Sequence, residues 1–177
     1  MSNLLWNLGI PIVFLLVVLL PLLRRMEYRR IDDSVRAEAP GSFVRLSKGF
    51  THYEIAGPKN GTVVLFVHGF SVPYYMWDRT FYAVAEAGFR VVRFDLYGRG
   101  LSDRPRVKYN RKLFIEQIEE LLGALHIEEP IDIVGTSMGG AVTTAFSAEH
   151  PDRVHKIVLI DPDGHIVEIG EPSFKTF

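Results

Sequence analysis

Four short runs of β-branched and aliphatic residues constrain the fold of this 177-residue chain more than any other feature of its sequence. Several of them carry apolar residues at consecutive positions, a pattern typical of strands that are buried on both faces. The stretches between them have the apolar spacing of helices. This alternation predicts a parallel α/β sheet with right-handed crossovers. The predicted strands are residues 62–67, 90–94, 131–134 and 156–160, and the predicted helices are residues 76–87, 110–125 and 139–150.

Two segments precede this pattern. Residues 43–57 form two short alternating runs around Lys48 and Gly49, which predict an antiparallel pair or hairpin. Residues 31–41 are polar and end in Pro-Gly, which indicates a linker. The predicted organisation is an amino-terminal segment over residues 1–30, a linker over 31–41 and one α/β domain over 42–177.

The exit of the third predicted strand carries the most specific motif, Gly-Thr-Ser-Met-Gly-Gly at residues 135–140. A G-x-S-x-G turn between a strand and a helix is a nucleophile elbow, in which the tight turn presents the serine hydroxyl to a substrate. Glycines two positions before and after the serine let the strand and the helix approach each other. Ser137 is therefore the candidate nucleophile, and Gly135 and Gly139 are the elbow glycines.

The exits of the first two predicted strands complete the candidate site. His68-Gly69-Phe70 follows the first strand, where a fold of this kind builds the other half of an oxyanion hole. The backbone N–H groups of Phe70 and Met138 are the predicted donors, and His68 is interpreted as a structural hydrogen-bonding residue. Residues 95–105 follow the second strand; they lack the spacing of a nucleotide-binding loop, so we expect a rigid turn beside the elbow.

Together these motifs resemble the α/β-hydrolase superfamily, in particular the branch that includes monoacylglycerol-lipase-like esterases. The matching pieces lie at residues 68–70, 95–105, 135–140 and 158–164, and the similarity covers about residues 42–165. The resemblance implies an α/β-hydrolase fold, a mostly parallel sheet flanked by helices, without a cofactor. A serine at position 137 excludes the dehalogenase and epoxide hydrolase branches, for which the resemblance would imply an aspartate there.

A serine hydrolase also needs a histidine base and an orienting carboxylate, and in this superfamily both follow the nucleophile. Asp161 and His165 are minor candidates, while His150 and His155 are expected at the opposite end of the sheet. The resemblance implies two further strands and usually a cap domain after Phe177. We therefore expect that the sequence represents the amino-terminal half to two-thirds of a hydrolase, and that the isolated chain has negligible ester turnover.

The amino-terminal segment predicts a membrane anchor. Residues 4–23 contain no charged side chain and are long enough to span the hydrocarbon core of a bilayer. Arginines follow this run and none precedes it, which indicates an uncleaved single span with the remaining chain in the cytoplasm. These arginines are Arg24, Arg25, Arg29 and Arg30.

Charge and cysteine content exclude several other functions. The chain has 20 Lys and Arg against 21 Asp and Glu, so it lacks the basic field that drives nucleic-acid binding. It has no cysteine, which excludes disulfides, Cys-ligated metals and thiol nucleophiles. No metal-binding cluster is visible in the sequence. The expected partners are a small-molecule ester or lipid substrate and the membrane.

The leading hypothesis is a membrane-anchored serine hydrolase that acts on carboxylic esters, with a preference for lipid-like substrates. The preference rests on the anchor and on the apolar residues between Phe70 and Trp77, which either line an acyl pocket or belong to the core. An alternative is a non-catalytic α/β-hydrolase-like membrane protein or an inactive fragment. Acyl transfer, peroxide chemistry and C–C bond cleavage use the same elbow and stay open.

Overall fold

The computed structural model describes residues 31–163 and, before them, residues 13–15, 17, 19 and 20. The chain divides into two compact units, Met1–Val35 and Arg36–Phe177. In the first unit, the six described residues between 13 and 20 are helical and their side chains are exposed. Most of the predicted span, residues 4–23, and its arginine flank lie outside the described residues. Among the residues that are described, no helix is both long and apolar enough to cross a membrane.

A six-stranded sheet forms the second unit. Its strands are β1 (Ser42–Leu46), β2 (Gly49–Ala56), β3 (Val63–Val67), β4 (Arg90–Phe94), β5 (Ile131–Ser137) and β6 (Val154–Pro162). They are arranged in the order β1-β2-β4-β3-β5-β6. The first two strands form the predicted antiparallel hairpin, and β2 pairs antiparallel with β4. The other four strands are parallel, as predicted, so their carboxyl ends meet at one edge.

Within residues 31–163, four α-helices and two short 3₁₀ turns lie before and between the strands. The α-helices are α1 (Asp33–Glu38), α2 (Asp78–Glu86), α3 (Arg111–Ala124) and α4 (Met138–Glu149), and the 3₁₀ turns are Tyr74–Trp77 and Pro151–Arg153. Asn110 caps α3, since its side chain accepts a hydrogen bond of 3.0 Å from the Leu113 N–H. Helix α1 lies inside the segment for which the sequence predicts a linker. The predicted helix over 76–87 instead begins at Asp78, because the residues before it form the first 3₁₀ turn.

Strand β3 lies between two hydrophobic cores, one on each of its faces. Val63, Leu65 and Val67 pack into a core with side chains of α3 and α4. The alternate residues Val64 and Phe66 pack into a smaller core that contains Trp77 and Phe81. Because every residue of β3 is buried, the run of consecutive apolar residues reflects a strand covered on both faces.

A buried arginine joins the smaller core to the sheet. Arg93 of β4 pairs with the carboxylates of Glu54 and Asp78, and its guanidinium lies 4.2 Å from the centre of the Phe81 ring. Burial, reinforced by the nearby Glu54 carboxylate, raises the pKa of Tyr74 to about 12. The contacts of Arg93 with Glu54, Asp78 and the rings of Tyr74 and Phe81 fix the 3₁₀ turn and α2 against β2 and β4.

Strand β6 differs from the other parallel strands. Its apolar run predicts a strand buried on both faces, but Ile157, Val158, Leu159 and Ile160 are 43–49% exposed. Within residues 31–163, β6 pairs with β5 alone and its other edge has no strand partner. The exposure follows from this position, because the described elements do not cover the outer side of the strand.

Candidate active site

Ser137 occupies a sharp turn between β5 and α4. It is the last residue of the strand, and the helix begins at Met138. Its backbone angles, φ 49° and ψ −126°, lie in a region that residues with side chains rarely adopt. The residue is exposed, and among the described residues no group forms a hydrogen bond with its hydroxyl. The turn therefore presents a free hydroxyl at the carboxyl edge of the sheet, as the motif predicts.

The glycines of the turn allow three backbone segments to meet. A Cβ atom on Gly135 would lie 2.5 Å from the carbonyl oxygen of Gly139, which is at the start of α4. A Cβ atom on Gly139 would overlap the carbonyl oxygens of Val67 and His68, at the end of β3. The two glycines thus serve different contacts, since the first lets β5 approach α4 and the second lets α4 approach β3.

The loop after β3 lies beside the serine. A Cβ atom on Gly69 would be 3.2 Å from the Cβ and 3.7 Å from the Oγ of Ser137. Phe70, the next residue, is exposed, and it lines the same cavity as Met138. The two residues whose backbone N–H groups are the predicted oxyanion donors therefore flank one space.

His68 holds the peptide that carries the Phe70 N–H group. Its Nδ1–H donates a hydrogen bond of 2.6 Å to the carbonyl oxygen of Gly69, and its Nε2 accepts one of 2.9 Å from the Leu96 N–H. These two bonds require a neutral ring with the proton on Nδ1. Burial lowers the pKa of His68, which favours the same form. Both nitrogens are occupied, so His68 has the structural role predicted for it.

Arg99 fixes the next peptide of this loop. Its Nε–H donates a hydrogen bond of 2.7 Å to the carbonyl oxygen of Phe70, and its guanidinium lies 4.1 Å from the centre of the Phe70 ring. Sequence reasoning assigned no role to Arg99 beyond membership of a turn. The only local signal for this role is the position of Arg99 between Gly98 and Gly100. Its partner, the Phe70 carbonyl oxygen, is 29 residues away along the chain, so no local sequence pattern could identify the contact.

Asp95 organises the turn after β4. Its carboxylate accepts hydrogen bonds of 2.8 Å from the Tyr74 N–H and 2.9 Å from the Leu101 N–H. It also lies 2.8 Å from Nδ1 of His52, whose Nε2 lies 2.7 Å from the carbonyl oxygen of Pro40. All three contacts of the carboxylate are short and the group is buried, so the turn that carries Arg99 is rigidly held.

The other candidate residues occupy different positions. His155 lies 3.0 Å from Asp132, at the start of β5 and therefore at the opposite end of the sheet from Ser137, as expected. Asp161 is exposed near the end of β6 with a positive φ of 43°, and the N–H of Asp163 donates a hydrogen bond of 2.9 Å to the Ser137 carbonyl oxygen. His165 lies outside the described residues.

A cavity of about 360 Å³ opens beside the turn. Its wall is mostly apolar and includes Phe70, Met138, Tyr109 and Phe114; Arg99 and Arg104 are the charged residues that line it. In the described part of the chain, no group of three or more His, Asp or Glu side chains is placed to hold a metal ion. The site thus combines an accessible hydroxyl, the two residues predicted to supply the oxyanion donors and a cavity with a mostly apolar wall.

A sequence profile of the alpha/beta hydrolase fold matches residues 62–174, which is more than half of the chain. The chain belongs to the α/β-hydrolase family. This membership confirms the resemblance inferred from the motifs at residues 68–70, 95–105 and 135–140.

Individual relatives show how far the similarity extends. An uncharacterised protein of Mycobacterium tuberculosis is 33% identical over 140 residues, covering 78% of this chain and 40% of that protein. A 2-hydroxymuconate semialdehyde hydrolase of Pseudomonas sp. strain CF600 is 39% identical over 83 residues, which cover 46% of this chain and 29% of that protein. The crystal structure of an enol-lactonase from Burkholderia xenovorans LB400 matches with a TM-score of 0.62 at 26% identity. The match covers 65% of this chain and 44% of the enol-lactonase. The chain therefore spans less than half the length of each of these relatives.

Proposed function

We propose that this chain carries the nucleophile and the oxyanion hole of a serine hydrolase that acts on carboxylic esters. The observation that supports this most is the conformation of Ser137, whose exposed hydroxyl stands on a strained turn beside the Gly69–Phe70 peptide. The characterised relatives are hydrolases, and the enol-lactonase is named for a cyclic ester. The apolar wall of the cavity suits a hydrocarbon acyl chain.

In the proposed reaction, the Ser137 Oγ attacks the ester carbonyl carbon and a base accepts its proton. The N–H groups of Phe70 and Met138 stabilise the negative oxygen of the tetrahedral intermediate. The intermediate collapses, the C–O bond to the alcohol breaks, and the alcohol leaves with the proton. Water then attacks the acyl-serine, which releases the carboxylic acid and restores the hydroxyl.

We propose that the base of this reaction lies outside the described residues. None of the five histidines between residues 31 and 163 forms a hydrogen bond with Ser137, and His68 is occupied at both nitrogens. We therefore propose that the chain by itself turns over esters negligibly. Sustained release of p-nitrophenol from a p-nitrophenyl ester, beyond one equivalent per chain and absent in Ser137→Ala, would contradict this part of the proposal.

Chemical rescue tests the nucleophile without requiring a complete enzyme. The full chain is treated with a fluorophosphonate probe in the absence and presence of imidazole, which supplies an external base. We expect labelling at Ser137, located by peptide mass spectrometry, at a rate that rises with imidazole concentration. Ser137→Ala should abolish the label, whereas Ser71→Ala, which changes an exposed serine of the neighbouring loop, should retain it.

The outcome also separates this function from a second candidate. The absence of a base beside Ser137 among the described residues favours a non-catalytic scaffold, in which the serine has ordinary reactivity. Failure of imidazole to promote labelling, or labelling that survives in Ser137→Ala, would reject the nucleophile and support the scaffold. Selective labelling with preferential cleavage of a C–C bond would reject the ester specificity alone.

We further propose that residues 4–23 hold the protein at a membrane, with the hydrolase domain in the cytoplasm, and that its substrates are lipid-like in carrying a hydrocarbon chain. The uncharged run and the arginines after it support this arrangement. Protease added to inverted membrane vesicles should digest the domain. A domain that stays intact in inverted vesicles and is digested in right-side-out vesicles would contradict the proposed orientation.

A further inference from the structure

Arg99 contributes a positive charge to the cavity beside the candidate nucleophile. It is partly exposed and lines the space that Phe70 and Met138 flank. Among the described residues, it forms no ion pair with a carboxylate. This distinguishes it from Arg93, whose guanidinium pairs with two carboxylates in the smaller core.

The hydrogen bonds of Arg99 leave part of the guanidinium available. Of its five N–H groups, one on Nε donates to the Phe70 carbonyl oxygen at 2.7 Å and one on Nη1 donates to the Gly98 carbonyl oxygen at 3.0 Å. No other described group accepts a hydrogen bond from it. The two hydrogen bonds to backbone carbonyl oxygens hold the guanidinium group in place, and its other three N–H groups have no acceptor among the described residues. This arrangement suits recognition of a planar anion such as a carboxylate.

The position of this charge relates it to the reaction. The cavity is lined by Phe70 and Met138, which supply the proposed oxyanion donors, and by the apolar residues Tyr109 and Phe114. Arg99 and Arg104 line the same space. An acyl group whose carbonyl oxygen is held by the donors would extend into this space. A charged guanidinium on a mostly apolar wall is stabilised when an anion accompanies it, because a carboxylate replaces the water that the ligand displaces.

We propose that Arg99 binds a carboxylate on the acyl part of the substrate, so that the site takes half-esters of dicarboxylic acids in preference to neutral esters. This inference rests on the proposed function, since it places the ester group at Ser137. It assigns Arg99 a role in specificity in addition to its contact with the Phe70 backbone.

Equilibrium dialysis tests the proposal independently of turnover. The full-length Ser137→Ala chain, in nanodiscs of neutral lipid, is dialysed against radiolabelled monomethyl adipate or dimethyl adipate, with empty nanodiscs as the blank. These ligands differ by one methyl group and one negative charge. We expect the half-ester to bind at least about tenfold more tightly than the diester. Raising the NaCl concentration should weaken binding of the half-ester only.

Variants of Arg99 separate recognition of the anion from support of the loop. Arg99→Gln should weaken binding of the half-ester about tenfold and leave the diester within about twofold. Arg99→Lys, which keeps the charge, should retain most of the preference. Arg79→Gln removes an exposed arginine of α2 that does not line the cavity, and it should change neither affinity.

Each other result overturns the proposal. Equal affinity for the two esters, or no binding of either, would show that the cavity does not select a carboxylate. Equal weakening of both esters in Arg99→Gln would show that Arg99 acts only through the Phe70 backbone. Because dialysis uses a chain without the serine, selective binding together with failed fluorophosphonate labelling would reject the hydrolase alone, and labelling without selective binding would reject the carboxylate site alone.

Discussion

The backbone of Ser137 is strained, and the strain has a measurable cost. Glycine adopts φ 49° and ψ −126° readily, whereas alanine has the same difficulty as serine. We expect Ser137→Gly to be more stable than Ser137→Ala by about 1 kcal/mol, after the greater freedom of glycine in the unfolded chain is taken into account. Urea unfolding of the full chain in mild detergent measures the difference. An alanine variant as stable as the glycine variant would show that the turn is not strained.

His68 links the stability of the fold to pH. Its pKa is lowered in the folded protein by burial, so below about pH 6.5 the unfolded chain binds a proton that the folded chain excludes. Stability contributed by the neutral ring is therefore present above the unfolded pKa and is lost as the pH falls. We expect a slope of at most about 1.4 kcal/mol per pH unit from this group, removed in His68→Asn. His126→Asn, at an exposed histidine, should keep the slope. Loss of the slope in that variant as well would assign the pH dependence to another group.

Residues differ in how visible their roles are in the sequence. Ser137 was identifiable because its chemistry and its backbone geometry both depend on a local pattern of glycines. The role of His68 followed from its place at a strand exit. Arg99 was missed because its partner, the carbonyl oxygen of Phe70, belongs to another strand exit. Contacts between the loops that follow different strands depend on the order of those strands in the sheet, and no single segment of the sequence specifies that order.

Packing of α4 against β3 depends on the absence of one side chain. A methyl group at Gly139 would overlap the carbonyl oxygens of Val67 and His68, and neither backbone segment can move independently of the sheet. We expect Gly139→Ala to destabilise the fold by about 2–3 kcal/mol. Gly123 of α3 is the matched control, since a methyl group there would have no neighbour within 4 Å. Gly123→Ala should leave stability unchanged or raise it by up to about 1 kcal/mol in the same urea experiment. Similar effects at both positions would contradict the proposed close contact.

Strands and helices were predictable where one pattern determined them. The bounds of β4 and the cap of α3 agree with the sequence because burial on both faces and a polar N-cap each leave a distinct local signal. The start of α2 does not agree with the sequence prediction, because apolar residues on a helical spacing also suit the 3₁₀ turn that precedes this helix. The exposure of β6 could not be predicted from its composition, since an apolar run has the same sequence whether or not other elements cover it.

The exposed side of β6 should affect the behaviour of the molecule as a whole. An apolar strand with an unpaired edge favours association between chains. We expect Val158→Lys to reduce concentration-dependent self-association, measured by sedimentation velocity in mild detergent, because a charge on an edge strand opposes pairing. Val107→Lys is the control, since Val107 is 43% exposed in a loop and Val158 is 49% exposed in β6. Equal effects of the two substitutions would show that added charge, and not the strand, governs association.

The order of the strands also has a consequence for synthesis on the ribosome. The central strand β3 is flanked by β4 and β5, and β5 is in turn flanked by β3 and β6. The hairpin of β1 and β2 can close as soon as it emerges, but the middle of the sheet must wait for segments made much later. The turn at Ser137 is complete only when β5 has emerged and α4 has packed on β3. In the growing polypeptide, the turn at Ser137 therefore forms later than the β1–β2 hairpin, and slow translation after residue 137 would give it time to form.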